Sequence, residues 1–230
     1  MEITKECEID MFKAVLFDLD GVLVDSEPAY KRVDMRILES LGICMPNEEY
    51  DTWMGTAGEE MFAQLKKQYG FSQSVGELTR MQLDFMLEDF RKGGFGAIDG
   101  AASLVKTLGE KTDFVMAVAS SSPTVYIKEV LNRLGLREYF QLLISGESIP
   151  RTKPAPDIYI ECAKQLSIDP ALCIVLEDSK NGITSAKSAG MKCIAFSSSK
   201  DRNQENDLAD YTFDKMKDIE RFLLGLADHD

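Results

Sequence analysis

The sequence predicts an α/β fold in which helices flank a parallel β-sheet and a small all-helical domain is inserted after the first strand. Short continuous apolar runs alternate with helical periods through the C-terminal part of the chain. This alternation is typical of strands that are buried on both faces of a parallel sheet and joined by crossover helices. Residues 27–94, in contrast, show helical periodicity without any strand-like run.

Five apolar runs are the predicted strands of the sheet. The first covers residues 13–19 and ends in acidic residues, and the others cover 114–119, 142–144, 173–176 and 193–196. Helical periods lie between them, as in the set Ile127, Val130, Leu131 and Leu134. The acidic tail 201–230 is predicted to cover the sheet with a last helix around 216–226.

The inserted segment begins and ends at recognisable points. Val33, Ile37, Leu38 and Leu41 mark the apolar face of its first helix, and the return segment 91–100 is rich in glycine. Glycine gives the backbone the freedom that a hinge requires. The predicted domains are therefore 1–26 with 95–230 for the sheet, and 27–94 for the helical insert.

Composition and charge exclude several classes of partner. The 230-residue chain has 26 Lys and Arg against 39 Asp and Glu, a formal charge of −13, and contains no block of basic residues. It therefore lacks the surface that binds nucleic-acid phosphates or an anionic membrane. No apolar run approaches the ~20 residues of a membrane helix, and no secretory signal is visible. A cytoplasmic protein is expected, and its oligomeric state is not indicated.

Cysteine and histidine counts exclude further chemistry. The five cysteines are Cys7, Cys44, Cys162, Cys173 and Cys193, with no CxxC pair, so we expect reduced, buried thiols rather than a disulfide or metal role. The single histidine, His229, lies next to the C-terminus. This count excludes Ser-His-Asp and Cys-His catalysis and histidine-ligated zinc.

Acidic residues follow two of the predicted strands. Asp18 and Asp20 come after the first strand and are spaced to share one side, while Glu177 and Asp178 follow the fourth. Ligands bind at this end of the strands in open α/β sheets. Turns after strands are also rich in Asp and Gly, so the first pair alone does not decide between the two interpretations. Carboxylates this close repel each other unless a cation lies among them, and their oxygens suit Mg²⁺.

Two further segments carry groups that suit an anion. Ser122 is explained as the N-cap of a helix that starts at Pro123, which leaves the Ser120 hydroxyl and the free N–H groups of this turn for an anionic oxygen. Lys153 lies between Thr152 and Pro154 in a stiff loop, as a fixed positive charge would. A solvated surface lysine is the alternative interpretation.

Four segments in this order resemble the motifs of the haloacid dehalogenase (HAD) superfamily, most closely its β-phosphoglucomutase-like phosphatase branch. They are 18–27 (DLDGVLVDSE), Ser120, 153–157 (KPAPD) and 177–179 (EDS), and the match extends from about residue 12 to 196. The resemblance implies a Rossmann-like catalytic core and identifies the helical insert as a cap domain that closes over the site. Segment 53–57 occupies the place of the family's substrate-reading loop, which makes Trp53, Gly55 and Thr56 candidate specificity residues, although Trp53 also suits a packing role.

The resemblance also implies the role of each site residue. Asp18 would attack phosphorus and form an aspartyl-phosphate, and Asp20 would act as general acid and base. Ser120 and the N–H of Ser121 would hold phosphoryl oxygens, whose charge Lys153 would neutralise. The implied ligands of Mg²⁺ are the Asp18 carboxylate, the Asp20 backbone carbonyl, Asp178 and, directly or through water, Glu177.

Departures from the family pattern distinguish two activities. The second acid, Asp20, favours phosphoryl transfer over attack on carbon. Hexose-phosphate mutases of this branch carry a histidine where Tyr30 stands here, and cationic cap residues where Met54 and Gly58 stand. We therefore expect a Mg²⁺-dependent phosphatase acting on a small phosphorylated metabolite such as a sugar phosphate. A sugar-phosphate mutase and a non-catalytic phosphate-binding regulatory protein are the alternatives.

Overall fold

The computed structural model describes residues 12–53, 56–197 and 208–227. Within them, six strands form one sheet: β1 (Ala14–Phe17), β2 (Val115–Ser120), β3 (Leu142–Ser145), β4 (Cys173–Glu177), β5 (Lys192–Phe196) and β6 (Tyr211–Phe213). Every neighbouring pair is parallel, and the order across the sheet is β3-β2-β1-β4-β5-β6. The predicted parallel sheet is confirmed.

The helices of the described residues fall into two groups along the chain. Four lie in the insert: α1 (Glu27–Ser40), α2 (Asn47–Tyr50), α3 (Gly58–Tyr69) and α4 (Val75–Arg91). Five follow in the sheet domain: α5 (Ala101–Lys111), α6 (Thr124–Arg133), α7 (Asp157–Leu166), α8 (Lys180–Ser188) and α9 (Met216–Ala227). Single 3₁₀ turns occupy Asp51–Trp53, Arg137–Tyr139, Gly146–Ser148 and Pro170–Leu172.

Strand β1 lies in the interior of the sheet and is fully buried. Val15 and Leu16 project to opposite faces, and neither is exposed to solvent. On the face of Leu16, small residues such as Ala117 and Ala119 leave room for α7 and α8 to pack closely. Burial on both faces explains why the strands are continuous apolar runs in the sequence.

The C-terminal part of the fold contains one strand that was not predicted. Helix α9 lies where a last helix was expected, but β6 precedes it and pairs with β5 at the edge of the sheet. Tyr211 and Phe213 of β6 both contact the ring of Phe222 in α9. A strand of three residues is too short to produce a recognisable periodicity.

The chain divides into two compact units, 1–24 with 97–230, and 25–96. In the first unit, Val24 and Ala97 pair as an antiparallel bridge, and Ile98 N donates to Leu23 O. In the second, Asp25 N donates to Gly96 O at 2.9 Å. The chain therefore leaves the sheet unit and returns to it at adjacent points.

The cysteine prediction needs one correction. Cys162, Cys173 and Cys193 are buried free thiols, but Cys44 is also free and is exposed, because it lies in the loop after α1. Cys7 and His229 lie outside the described residues. Among the described helices, none is both long and apolar enough to cross a membrane.

Unit 25–96 contains a buried carboxyl group on α1. Asp34 is 3% exposed and accepts two hydrogen bonds, from the Tyr50 hydroxyl (2.6 Å, to Oδ2) and from Gln82 Nε2 (2.6 Å, to Oδ1). Burial raises the pKa of Asp34 to about 6, although these two hydrogen bonds favour the ionised form. Ionised Asp34 therefore destabilises the folded protein.

We expect the Asp34→Asn variant to be more stable than the wild type at pH 8 and nearly equal to it at pH 4. The pKa in the folded protein lies above the reference value of 3.8, so stability falls as pH rises from about 4 through 6. The shift corresponds to about 3 kcal/mol at pH 8. Thermal unfolding of both proteins from pH 4 to 8 measures this difference, and a pH-independent difference would contradict the prediction.

Candidate active site

The predicted site residues follow neighbouring strands at one edge of the sheet. Phe17 at the end of β1 is paired with Val118 of β2 and Leu176 of β4. Asp18, the next residue, is therefore level with Glu177, the last residue of β4, and with Ala119, which directly precedes the last residue of β2, Ser120. Because parallel strands share one direction, their carboxyl ends meet here and the polar side chains converge.

Lys153 binds the ends of all three strands. Its ammonium group donates to Asp18 Oδ1 (2.7 Å), to Glu177 Oε1 (2.6 Å) and to the carbonyl of Ala119 (3.1 Å), which uses its three donors. The side chain is 7% exposed. Burial disfavours the charged amine, but the carboxylates of Asp18 and Glu177 outweigh it and raise the pKa of Lys153. Lys153 is thus a fixed cation, not a solvated surface lysine.

Glu177 is a buried carboxylate with both oxygens occupied. Oε1 also accepts from the Tyr159 hydroxyl (2.9 Å), and Oε2 accepts from the backbone N–H groups of Asp178 (3.1 Å) and Ser179 (3.2 Å). Burial alone would raise the pKa of Glu177, but the charge and hydrogen bond of Lys153 lower it. Glu177 therefore remains ionised inside the protein.

The remaining acids leave the site with excess negative charge. Burial raises the pKa of Asp18 to about 7 despite the opposing charge of Lys153, and the carboxylates of Glu177 and Asp20 contribute. The residue Asp178 is exposed as a whole, but the protein around its carboxyl group partly excludes water from it. This desolvation raises the pKa of Asp178, and the negative charges of Glu177 and Asp18 raise it further. One ammonium group faces four acids, so the site favours an additional cation.

The carboxylates of Asp18, Glu177 and Asp178 are placed to hold that cation. One oxygen from each lies within 4.8 Å of the others, and oxygen donors of this kind suit Mg²⁺. Gly21, at φ +77°, makes room for the cluster, since a Cβ there would lie 1.8 Å from Asp178 Oδ2. The donor set therefore fits a magnesium ion, and the Asp20 side chain is not part of it.

The structure corrects the explanation of Ser122. Helix α6 begins at Thr124 after the N-cap residue Pro123, and its first N–H, that of Thr124, donates to Glu147 Oε2 at 2.8 Å rather than to Ser122. The Ser122 hydroxyl instead donates to Asp20 Oδ2 at 2.6 Å, and the Tyr126 hydroxyl donates to Asp20 Oδ1 at 3.2 Å. The predicted general acid is thus held by two hydroxyl groups from the segment after β2.

The other predicted residues occupy the following positions. Ser120 is buried, and its hydroxyl oxygen accepts a hydrogen bond from Ser122 N at 3.1 Å, while Ser121 is exposed. Trp53 and Thr56 are half-buried residues of unit 25–96, in which Thr56 N donates to Trp53 O at 2.9 Å. Gly55 lies outside the described residues.

Three residues contribute to the site without any signal in the sequence: Ser122, Tyr126 and Tyr159. Tyr126 and Tyr159 lie on the buried faces of α6 and α7, where aromatic residues at helical spacing ordinarily indicate core packing. Only their hydroxyl groups distinguish them, and no sequence pattern shows that these reach the acids. The contact between Ser122 and Asp20 was not expected, because the sequence suggests that Ser122 is a helix N-cap.

Comparison with known proteins identifies relatives along most of the chain. The family model described as haloacid dehalogenase-like hydrolase matches residues 15–196. Hexitol phosphatase B of Escherichia coli is 32% identical over 200 residues, covering 79% of this chain and 82% of the relative. A phosphorylated carbohydrates phosphatase of Thermotoga maritima is 31% identical over 185 residues, covering 79% and 83%.

A solved structure is also similar. The crystal structure of CbbY from Rhodobacter sphaeroides in complex with phosphate has a TM-score of 0.81 and 26% sequence identity. The similarity covers 91% of this chain and 96% of the other. The described architecture is therefore shared with a phosphate-binding protein along nearly its whole length.

We expect Lys153→Met to lower the free energy of unfolding by about 3–5 kcal/mol, because it leaves two buried carboxylates without their cation. Urea unfolding in the presence of a chelator measures the loss. Arg151→Met is the matched control in the same loop, since its ion pair with Asp157 involves a guanidinium side chain that is 71% exposed. It should change stability by less than about 1 kcal/mol. Equal losses in the two variants would show that Lys153 has no special role.

Proposed function

The chain belongs to the haloacid dehalogenase-like hydrolases, and from this premise we propose that it is a Mg²⁺-dependent phosphatase of a small phosphorylated carbohydrate. The observation that carries the proposal is the convergence of Asp18, Lys153, Glu177 and Asp178 at the end of β1. The names of its relatives, a hexitol phosphatase and a phosphorylated carbohydrates phosphatase, support the substrate class.

Asp18 is the proposed nucleophile. A carboxylate oxygen of Asp18 attacks the phosphorus in line, the new O–P bond forms, and the bond to the alcohol oxygen of the substrate breaks. Asp20 gives its proton to the departing alkoxide. It then takes a proton from the water that attacks the phosphorus of the aspartyl-phosphate, which releases phosphate and regenerates Asp18. The hydrogen bonds from Ser122 and Tyr126 support this role by orienting Asp20.

The groups around Asp18 hold the phosphoryl oxygens during transfer. Lys153 neutralises their negative charge, and the Ser120 hydroxyl and Ser121 N–H provide hydrogen bonds from the turn after β2. Mg²⁺ supplies positive charge that offsets the developing charge on the phosphoryl oxygens when it is bound. Asp18, Asp178 and the Asp20 backbone carbonyl would be its protein ligands. Because protein donors already occupy both oxygens of Glu177, we assign Glu177 a contact through water.

Hydrolysis is favoured over a mutase reaction by the contacts of three cations, Lys66, Lys31 and Arg32, in unit 25–96, which we assign as the cap. A mutase must hold a bisphosphate intermediate and so needs free positive charge in the cap. Here Lys66 of α3 donates to the backbone carbonyls of Ser72 and Gln73, which lie in the loop between α3 and α4. Lys31 and Arg32 are paired with Asp51 and Asp89.

Phosphate release from a panel of phosphorylated sugars, polyols and nucleotides, with and without Mg²⁺, tests the proposed function. We expect Mg²⁺-dependent hydrolysis of a sugar or polyol phosphate, and a loss of about a thousandfold or more in Asp18→Asn, because an amide is a poor nucleophile. Asp99→Asn, at an exposed site, is the control. Conversion of a hexose 1-phosphate to its 6-phosphate without phosphate release would instead establish the mutase, and binding without turnover would establish a regulatory protein.

A second prediction concerns the space for the metal. Gly21→Ala should lower Mg²⁺ affinity by about 10- to 100-fold, because the added Cβ displaces the Asp178 carboxylate. Gly42→Ala is a matched control: Gly42 has the same φ of +77° but nothing lies within 4 Å of an added Cβ. Calorimetric titration of both variants with Mg²⁺ measures the difference. Equal affinities would mean that the ion does not bind beside Asp178.

A further inference from the structure

Asp34 is a buried acid that takes no part in the proposed chemistry. It lies in unit 25–96 on α1, where neighbouring buried residues are apolar, and both of its carboxylate oxygens accept hydrogen bonds. An acid in such a place opposes folding, and an apolar side chain of similar size would pack at lower cost. The two contacts of Asp34 therefore require an explanation other than stability.

The partners of Asp34 lie at the two ends of segment 51–57, of which residues 51–53 and 56–57 are described. Tyr50 is the last residue of α2 and directly precedes the 3₁₀ turn Asp51–Trp53. Gln82, on α4, lies against Gly58, the first residue of α3: a Cβ at Gly58 would be 2.4 Å from Gln82 Oε1. Tyr50 and Gln82 thus connect Asp34 to the residues on either side of the segment.

We propose that Asp34, Tyr50 and Gln82 form a positioning network that fixes Trp53 and Thr56 and so determines which phosphorylated substrates are accepted. The inference rests on the proposed function and takes up the implication of the family resemblance that these two residues read the part of the substrate other than phosphate. A carboxylate suits the task because its two oxygens hold two donors at once in one rigid plane. An apolar residue would fill the space but could not connect the two ends.

The contacts of the network distinguish it from a surface ion pair at the same segment. Lys31 on α1 also reaches the segment, by a bond from Nζ to Asp51 Oδ1 at 2.5 Å, but both side chains are substantially exposed. Exposed pairs are screened and contribute little to geometry. Lys31→Met is therefore a control that removes a contact to the same segment without touching the buried network.

Three variants interrupt the network at different points. Tyr50→Phe removes one hydroxyl, Gly58→Ala pushes the Gln82 amide from its place, and Asp34→Leu removes both acceptors. Asp34→Asn is the conservative variant, because an amide can still accept from Tyr50 and, after rotation of the Gln82 amide, donate to Gln82 Oε1. Tyr50→Phe is the decisive change if Asp34→Leu does not fold, since it deletes a single oxygen.

The kinetic test compares the best carbohydrate phosphate of the wild-type panel with p-nitrophenyl phosphate. Tyr50→Phe and Gly58→Ala should raise KM for the carbohydrate by about tenfold, with kcat within about threefold and p-nitrophenyl phosphate hydrolysis within about twofold. Asp34→Asn and Lys31→Met should remain close to the wild type. A purely structural role would lower the rates for both substrates together, and that result would overturn the proposal.

Trp53 provides a readout that does not depend on turnover. It is the only tryptophan of the chain, so its fluorescence reports on this segment alone. We expect Tyr50→Phe and Gly58→Ala to increase acrylamide quenching of Trp53, and Asp34→Asn and Lys31→Met to leave it unchanged. Unaltered quenching of Trp53 in Tyr50→Phe and Gly58→Ala would refute the positioning network. If the wild-type protein hydrolyses no phosphate monoester, the proposed function is refuted, but the quenching test of the network still stands.

Discussion

The ammonium group of Lys153 is the interaction on which the site depends. It is bonded to groups that follow or end β1, β2 and β4, and so joins three strands that are distant in the sequence. Two carboxylates that are buried side by side would repel each other without it. One positive charge does not balance the four acids Asp18, Asp20, Glu177 and Asp178, and this excess of negative charge explains why the site favours an additional cation.

Sequence patterns predicted the parts of the molecule that depend on periodicity and strand order. Five buried strands, the helical segment and the position of α9 follow from apolar spacing, and Asp18 and Glu177 follow from where two strands end. The edge strand β6 was missed because three residues carry no period and its pairing with β5 depends on tertiary contacts. Lys153 was ambiguous for a similar reason, since only burial distinguishes it from a solvated loop lysine.

Hydroxyl groups were the least predictable components. Tyr126 and Tyr159 look like packing residues, and Ser122 like a helix cap, until the direction of each hydroxyl is known. The same holds for Asp34, whose partners Tyr50 and Gln82 are 16 and 48 residues away. In each case the sequence shows the donor and the acceptor but not that the fold aligns them.

The antiparallel bridge between Val24 and Ala97, at the base of the insert, affects how such proteins can diversify. The chain leaves the sheet unit and returns to it at adjacent points, so residues 25–96 form a closed loop on that unit. The entropic cost of closing a loop grows only slowly with its length. An insert of different size or shape can therefore replace it without moving the strands that carry the reacting groups. Under the proposed function, the residues that select the substrate and the residues that react with it could thus change independently of each other.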